Sequence, residues 1–246
     1  MKIYAIFFLL FISSLSPIQI PRDIAEESNL APLLESISTL AHQHRENRSN
    51  PIPIVAIGGC AGVGKSSFSK LVEHLLQTRN LNIYTLHLDD FLLSYDERKK
   101  IGFNEPMTSH YQLEKAHEVI KAMILRENTI HKPTYDGHTR LLSSEIVNLE
   151  KIDLILLEGG YALCSEPPLN FLPYSDVKIF LEAEESDIIQ WRHQREQLRV
   201  LPRTEEEFSK FIGAVLLDFK NNILDSRKNA DFVIRIDHQH QYSLTN

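Results

Sequence analysis

Cysteine is scarce: Cys60 and Cys164 are the only two in 246 residues, and they form no CxxC pair. That excludes a disulfide framework and a cysteine-built zinc site, and it fits a reducing compartment. Basic charge is also short, with Lys plus Arg at 26 against 33 Asp plus Glu, a net charge of -7. A nucleic-acid partner gripped through its phosphates is therefore not expected, and any basic surface must be local. No internal repeat or low-complexity tract occurs, and composition does not shift after residue 50. One well-buried α/β domain over residues 51–246 accounts for the length.

The one long hydrophobic run lies at the start. Lys2 precedes the apolar stretch Ile3 to Ile12, and the mostly apolar sequence continues to Ile20. A charged start followed by such a run has the form of a secretory signal, and its length approaches that of a membrane anchor. A mis-set start or a buried apolar arm is an alternative reading. Residues 1–22 are thus set apart as a targeting or anchor segment, with membrane contact expected only through residues 1–20 if they are retained. Residues 23–50 follow as an amphipathic helix and linker, with Ile24, Leu30, Leu33, Leu34, Ile37 and Leu40 near a helical period.

Beyond the helix-breaking segment Ser49 to Pro53, the short apolar run Ile54 to Ile57 predicts a buried parallel strand. Phe68, Leu71, Val72, Leu75 and Leu76 predict the helix that follows. Further strands are expected at 83–88, 152–157, 177–181 and 232–236, with helices at 113–124 and around 208–219. This alternation predicts a three-layer α/β fold with a mostly parallel sheet.

Between the first strand and helix, Gly59-Cys60-Ala61-Gly62-Val63-Gly64-Lys65-Ser66 satisfies GxxxxGK[S/T], and Ser67 follows it. Glycines let backbone N–H groups face a β-phosphate at the positive end of the helix, Lys65 reaches the β- and γ-phosphates, and Ser66 ligates Mg²⁺. ATP and Mg²⁺ are the expected cofactors. Cys60 reads as a small filler of the loop rather than a redox switch. The metal needs an acidic partner, and Glu158 ends the apolar stretch Ile152 to Leu157 at the strand edge where open α/β sheets bind ligands. Asp153 should lie at the opposite end. Asp89 and Asp90 end the second strand, where one could take the proton of an attacking hydroxyl and Asp89 could also hold the metal through water. Helix capping and solvation are the plain alternatives for these acids. Alternation along the strand turns Asp89 toward the cleft and Asp90 away from it.

These elements resemble the superfamily of P-loop small-molecule kinases that holds uridine-cytidine kinases, phosphoribulokinases, bacterial pantothenate kinases and glycerate kinases. The likeness runs from about Ile54 to Ile236 and implies a P-loop NTPase fold. Asp89-Asp90-Phe91-Leu92 resembles the uridine kinase strand end, with Leu92 in place of a tyrosine. Pro133-Thr134-Tyr135-Asp136 followed by His138-Thr139-Arg140 resembles the uridine kinase acceptor segment with a spacer two residues shorter. By this resemblance Tyr135, Asp136, His138, Arg140 and Arg199 face the acceptor. Trp191-Arg192 and Arg195, then Arg199 and Arg203, resemble the basic lid over ATP, with Arg192 and Arg195 on one helix face. Lys228 to Asp231 resembles the segment before the last uridine kinase strand.

Leu88 to Ser94 with Glu97-Arg98, Pro106 to His110, and the Trp191-Arg-x-Gln run look more like glycerate kinases. The short stretch from Glu158 to Asp176 lacks that family's insertion. The resemblance therefore implies an ATP-dependent kinase acting on a hydroxyl of a small metabolite, with a nucleoside such as uridine or cytidine first. Glycerate or pantothenate kinase-like activity, and a non-catalytic nucleotide-binding protein, are the alternatives. No NKxD guanine motif and no LSGGQ-like transporter string occurs. ATP chemistry calls for the cytoplasm while the first twenty residues point to export or anchoring, and the sequence is compatible with a homo-oligomer.

Overall fold

The computed structural model describes residues 29–245 except 103, 126 and 201. The apolar run at residues 1–22 and the start of the expected 23–46 helix lie outside the described residues. Among those described, no helix is long and apolar enough to cross a membrane.

Helix α1 (Ala31–Glu46) leads into β1 (Ile54–Gly59), the phosphate loop and α2 (Lys65–Gln77). Then come β2 (Ile83–His87), a 3-10 turn at Leu88–Phe91, α3 (Tyr95–Ile101), a second 3-10 turn at Met107–His110 and α4 (Leu113–Ile124). A hairpin of β3 (Thr129–Tyr135) and β4 (Leu142–Asn148) precedes β5 (Leu154–Glu158) and β6 (Val177–Glu182). The chain ends with α5 (Glu185–Gln197), α6 (Glu205–Asp218), β7 (Phe232–Ile236) and β8 (Tyr242–Thr245).

Six strands form one sheet in the order β2-β5-β1-β6-β7-β8. All neighbours are parallel except β7 and β8. Because side chains alternate along a strand, β1 feeds two cores. Val55 and Ile57 pack with α1, α2 and α6, whereas Ile54 and Ala56 pack with α4 and the segment around Tyr161 to Phe171. Helices on both faces explain why all six residues of β1 are buried, and why the strand reads as a continuous apolar run.

The expected three-layer α/β architecture is the observed one. Several boundaries shift by one to three residues, and two of these shifts bear on acidic residues. The second strand stops at His87 rather than 88, and the third expected strand runs 154–158 rather than 152–157. At the first boundary the chain turns into the 3-10 helix, so Asp89 and Asp90 do not sit on a strand. At the second, Asp153 accepts Arg45, Arg48 and the Asn82 N–H, and it marks the sheet end opposite to Glu158 as expected.

The β3–β4 hairpin has no counterpart in the apolar periodicity. Its buried hydrophobics are few, with Ile130 and Val147 reaching the second core. Much of its attachment is polar: Lys132, almost fully buried, meets Asp90 Oδ2 at 2.5 Å and Glu145 at 3.0 Å. Tyr84 on β2 donates to Glu145 at 2.6 Å, and the Tyr135 N–H donates to Asp90 Oδ1 at 3.0 Å. Polar anchoring of this kind leaves no hydrophobic pattern to read.

Candidate active site

The loop after β1 is built by backbone shape. Gly59, Gly62 and Gly64 all adopt positive φ, which side-chain-bearing residues rarely tolerate. A Cβ on Gly59 would stand 2.4 Å from the Leu181 carbonyl oxygen, and one on Gly62 would stand 2.5 Å from Arg192 Cγ. Both positions therefore demand glycine, the first for the neighbouring strand and the second for the lid. Lys65 is buried and folds back over the loop, donating from Nζ to the carbonyls of Gly59 (3.1 Å) and Cys60 (3.0 Å). The Cys60 thiol is raised by burial, more than Lys65 and Arg192 lower it, so it stays protonated and chemically quiet.

Ser66, on the first turn of α2, donates to Glu158 Oε2 at 3.1 Å. The register places Ile57 beside Glu158 and Glu158 beside His87, so three strand ends converge on one carboxylate. His87 donates from Nδ1 to Glu158 Oε2 at 2.7 Å. Burial disfavours the charged form of each partner. Burial is the largest single influence on each, but their mutual hydrogen bond and the neighbouring charges, Lys65 among them for Glu158, together outweigh it, so His87 is raised and Glu158 is lowered from their ordinary ranges. His87 is a site residue that the motifs do not mark; its only sequence signal is its place two residues before Asp89.

Asp89 and Asp90 separate as expected, although a 3-10 turn and not strand alternation does it. Asp89 is exposed and accepts the Tyr111 hydroxyl at 2.9 Å. Tyr111 meets Tyr161 edge to face at 5.5 Å, and Tyr161 donates to Asp218 at 2.9 Å. Burial raises the Asp218 carboxyl despite the hydrogen bonds it accepts from Asn222 and Tyr161. Asp90 is buried against Lys132 and belongs to the hairpin.

The arginines expected to form a lid divide by environment. Arg192 lies against Gly62 with its guanidinium 4.7 Å over the Phe211 ring, and its Nε is enclosed without a protein hydrogen-bond partner. Desolvation lowers its pKa to about 10, a cost that a phosphate would relieve. Arg195 is exposed. Arg199 donates to the Gly137 carbonyl at 2.6 Å, which ties the lid to the hairpin tip. At that tip Asp136 accepts the backbone N–H groups of His138 (2.7 Å) and Thr139 (3.1 Å), so its carboxylate builds the turn. His138 is exposed, Tyr135 accepts Arg98 at 2.7 Å, and Arg140 stacks 4.3 Å over Tyr95. The structure thus brings Lys65, Ser66, Glu158 and Arg192 together around the loop. It sets Tyr135 and Arg140 against α3 and leaves His138 and Arg195 to solvent.

The residues present fit the expected ligands. The enclosed Nε of Arg192 and the glycine cradle suit a polyphosphate, and Mg²⁺ needs only one or two protein oxygens beside phosphate and water, which Ser66 and Glu158 offer. Among the described residues no cluster of three His, Cys, Asp or Glu forms an all-protein metal cage.

The Phosphoribulokinase / Uridine kinase family model matches residues 54–242, well over half of the chain. The chain belongs to that family. Within it, the uridine kinase of Bacillus cytotoxicus is 27% identical over 192 residues, covering 76% of this chain and 86% of the relative. Two solved structures share the fold. The D-glycerate 3-kinase of Cryptococcus neoformans has a TM-score of 0.66 at 14% identity, covering 88% of this chain and 99% of its own. The phosphoribulokinase of Rhodobacter spheroides has 0.56 at 14%, covering 75% and 70%. The likeness to these two structures is one of fold.

Proposed function

We propose that this chain is an ATP-dependent kinase that transfers the γ-phosphoryl group to a hydroxyl of a small metabolite. The observation that carries it is the convergence at one sheet edge of the Lys65 cradle, the Ser66–Glu158 pair, Arg192 against Gly62, and Asp89 on the neighbouring turn. Mg²⁺ bound at Ser66 and Glu158 would neutralise phosphate charge. Lys65 and Arg192 then hold the phosphates and meet the charge that develops during transfer. Asp89, exposed and already accepting one hydroxyl, is the residue proposed to take the acceptor's proton. The proposed acceptor side comprises Tyr135, Asp136, His138, Arg140 and Arg199, with Asp136 acting through the shape of the turn.

A nucleoside such as uridine or cytidine is the first acceptor proposed, because relatives over most of the domain are uridine kinases. A hydroxy acid of the glycerate type is a second reading. It is favoured by the basic residues Arg98, Lys99 and Arg203 that line a cavity of about 150 Å³ between α3 and α6. Scoring ADP release with uridine, cytidine, glycerate, pantothenate and pentose phosphates decides between them. ATP binding without acceptor-dependent ADP release across the panel would favour a non-catalytic nucleotide-binding protein.

A further inference from the structure

Glu196, in the last turn of α5, is the one buried acid of the lid, and three guanidinium groups share it. Its Oε1 lies 3.4 Å from Arg140 Nη2 and accepts the Arg203 N–H at 2.9 Å; its Oε2 lies 2.7 Å from Arg203 Nη1 and 3.1 Å from Arg199 Nε. The side chains of Arg140, Arg199 and Arg203 are 8%, 15% and 9% exposed, and that of Glu196 7%. Buried like charges repel strongly unless paired, so this carboxylate holds together three groups that would otherwise separate.

Those three groups belong to different parts of the molecule. Arg140 is at the hairpin tip, Arg199 follows the lid helix and reaches Gly137 of that tip, and Arg203 precedes α6. Arg203 stacks 3.9 Å over Phe211, whose ring also carries Arg192 at 4.7 Å, and Arg192 touches the phosphate loop at Gly62. A continuous set of contacts therefore runs from the loop, through Arg192, Phe211 and Arg203, to Glu196 and on to the hairpin tip.

We propose that Glu196 is the positioning residue that couples the arginine lid over the phosphate loop to the hairpin tip, so that nucleotide binding orders the acceptor side. This rests on the kinase reading above. Glu196 touches neither substrate; it acts through Arg140, Arg199 and Arg203. Coupling of this kind is a free energy between two sites, and it must appear at one when the other is filled.

The test is amide hydrogen exchange on the full chain with and without the magnesium complex of a non-hydrolysable ATP analogue. Fluorescence of Trp191, the single tryptophan, is followed in parallel, since it sits on α5 against His240 at 4.5 Å. In wild type the analogue should protect residues 59–67 and also slow exchange at 136–141 by about tenfold, within the usual range of coupling between sites. Glu196→Gln should keep the protection at 59–67 and lose the nucleotide-dependent part at 136–141, and Glu196→Asp should restore it. A purely structural role would instead raise exchange at 136–141 equally with and without nucleotide. Arg199→Ala cuts the Gly137 tether without stranding the other arginines and should show the same loss, which decides the matter if Glu196→Gln does not fold. A hairpin tip in wild type that ignores the nucleotide, or one that still responds in Glu196→Gln or Arg199→Ala, overturns the proposal alone. No protection at 59–67 and no Trp191 response in wild type would overturn the kinase reading and this proposal with it.

Discussion

Lys65 holds two carbonyls of its own loop, so its charge is already positioned for a phosphate. Lys65→Ala should lower kcat by at least about 10²-fold, because it removes a charge that meets the transition state, while circular dichroism stays unchanged. Unchanged turnover would refute the phosphate-site assignment. Asp89→Asn should lower kcat by about 10² to 10⁴ with little change in ATP affinity. Its neighbour behaves differently. Asp90→Asn strips the charge from a buried pair with Lys132, and should cost on the order of 3 kcal/mol in stability rather than act on chemistry. If thermal unfolding of Asp90→Asn matches wild type while its kcat collapses, the two aspartates have exchanged roles. The glycine-rich loop and the strand-end place of Glu158 were legible because the loop needs fixed residue types at fixed spacing and the acid closes an apolar run. His87 was not, because its partner Glu158 is distant in sequence, and Glu196 was not, because no apolar stripe or motif marks it as buried. The His87–Glu158 pair also sets a pH window. His87 is raised, so its contribution is fully present below its ordinary value of 6.5 and is lost as pH rises through the folded value. Glu158 is lowered, so its contribution is present above its ordinary 4.5 and is lost as pH falls through the folded value. The Tm difference between wild type and His87→Gln should therefore be largest between those two ordinary values and shrink above them; a difference that grows toward alkaline pH would contradict the pairing.

At the scale of elements, legibility followed burial. Strands β1, β5 and β6 read as apolar runs because helices cover both faces, and α2 and α4 read as helices because each buries one stripe. The lid helix α5 buries only Ile188 and Glu196, so no apolar stripe announces it. The helix α3 buries no residue at all and is set by its capping box, in which Ser94 Oγ accepts the Glu97 N–H and the Glu97 carboxylate accepts the Ser94 N–H. The hairpin is the extreme case. Pro133 sits mid-strand and argues against a central strand, and it is tolerated because β3 pairs only with β4. Elements that are mostly solvated and held by ion pairs are the ones that can move, and here they are the lid and the hairpin that carry the proposed acceptor residues.

Across the whole molecule, the helix that precedes the phosphate-loop domain is part of that domain's core. Leu33, Leu34, Ile37 and Ala41 of α1, with Leu30 before it, are fully buried in the same cluster as Val55, Phe68 and Leu156. Its far end is pinned by Asp153, which accepts Arg45, Arg48 and the Asn82 N–H and so clamps α1, the loop before β2 and the start of β5. A chain beginning near Asp23 keeps all of this and should be soluble and bind ATP; one beginning at residue 51 exposes that apolar face and should aggregate. The clamp can be tested without truncation. Asp153→Asn leaves the shape but removes the charge that both arginines and the backbone amide share, which should cost on the order of 2 kcal/mol at neutral pH. Burial works to raise the Asp153 carboxyl, yet the Arg45 and Asn82 hydrogen bonds and the two arginine charges win, and it is lowered from its ordinary 3.8. Its contribution is therefore fully present above that ordinary value and is lost as pH falls through the lower, folded one. Unfolding curves of wild type and Asp153→Asn should stay separated by a constant gap from neutral pH down to about 4 and converge below it. A gap that persists unchanged into strong acid would show that the substitution acts through packing, and the charge clamp between α1 and the sheet would have to be abandoned.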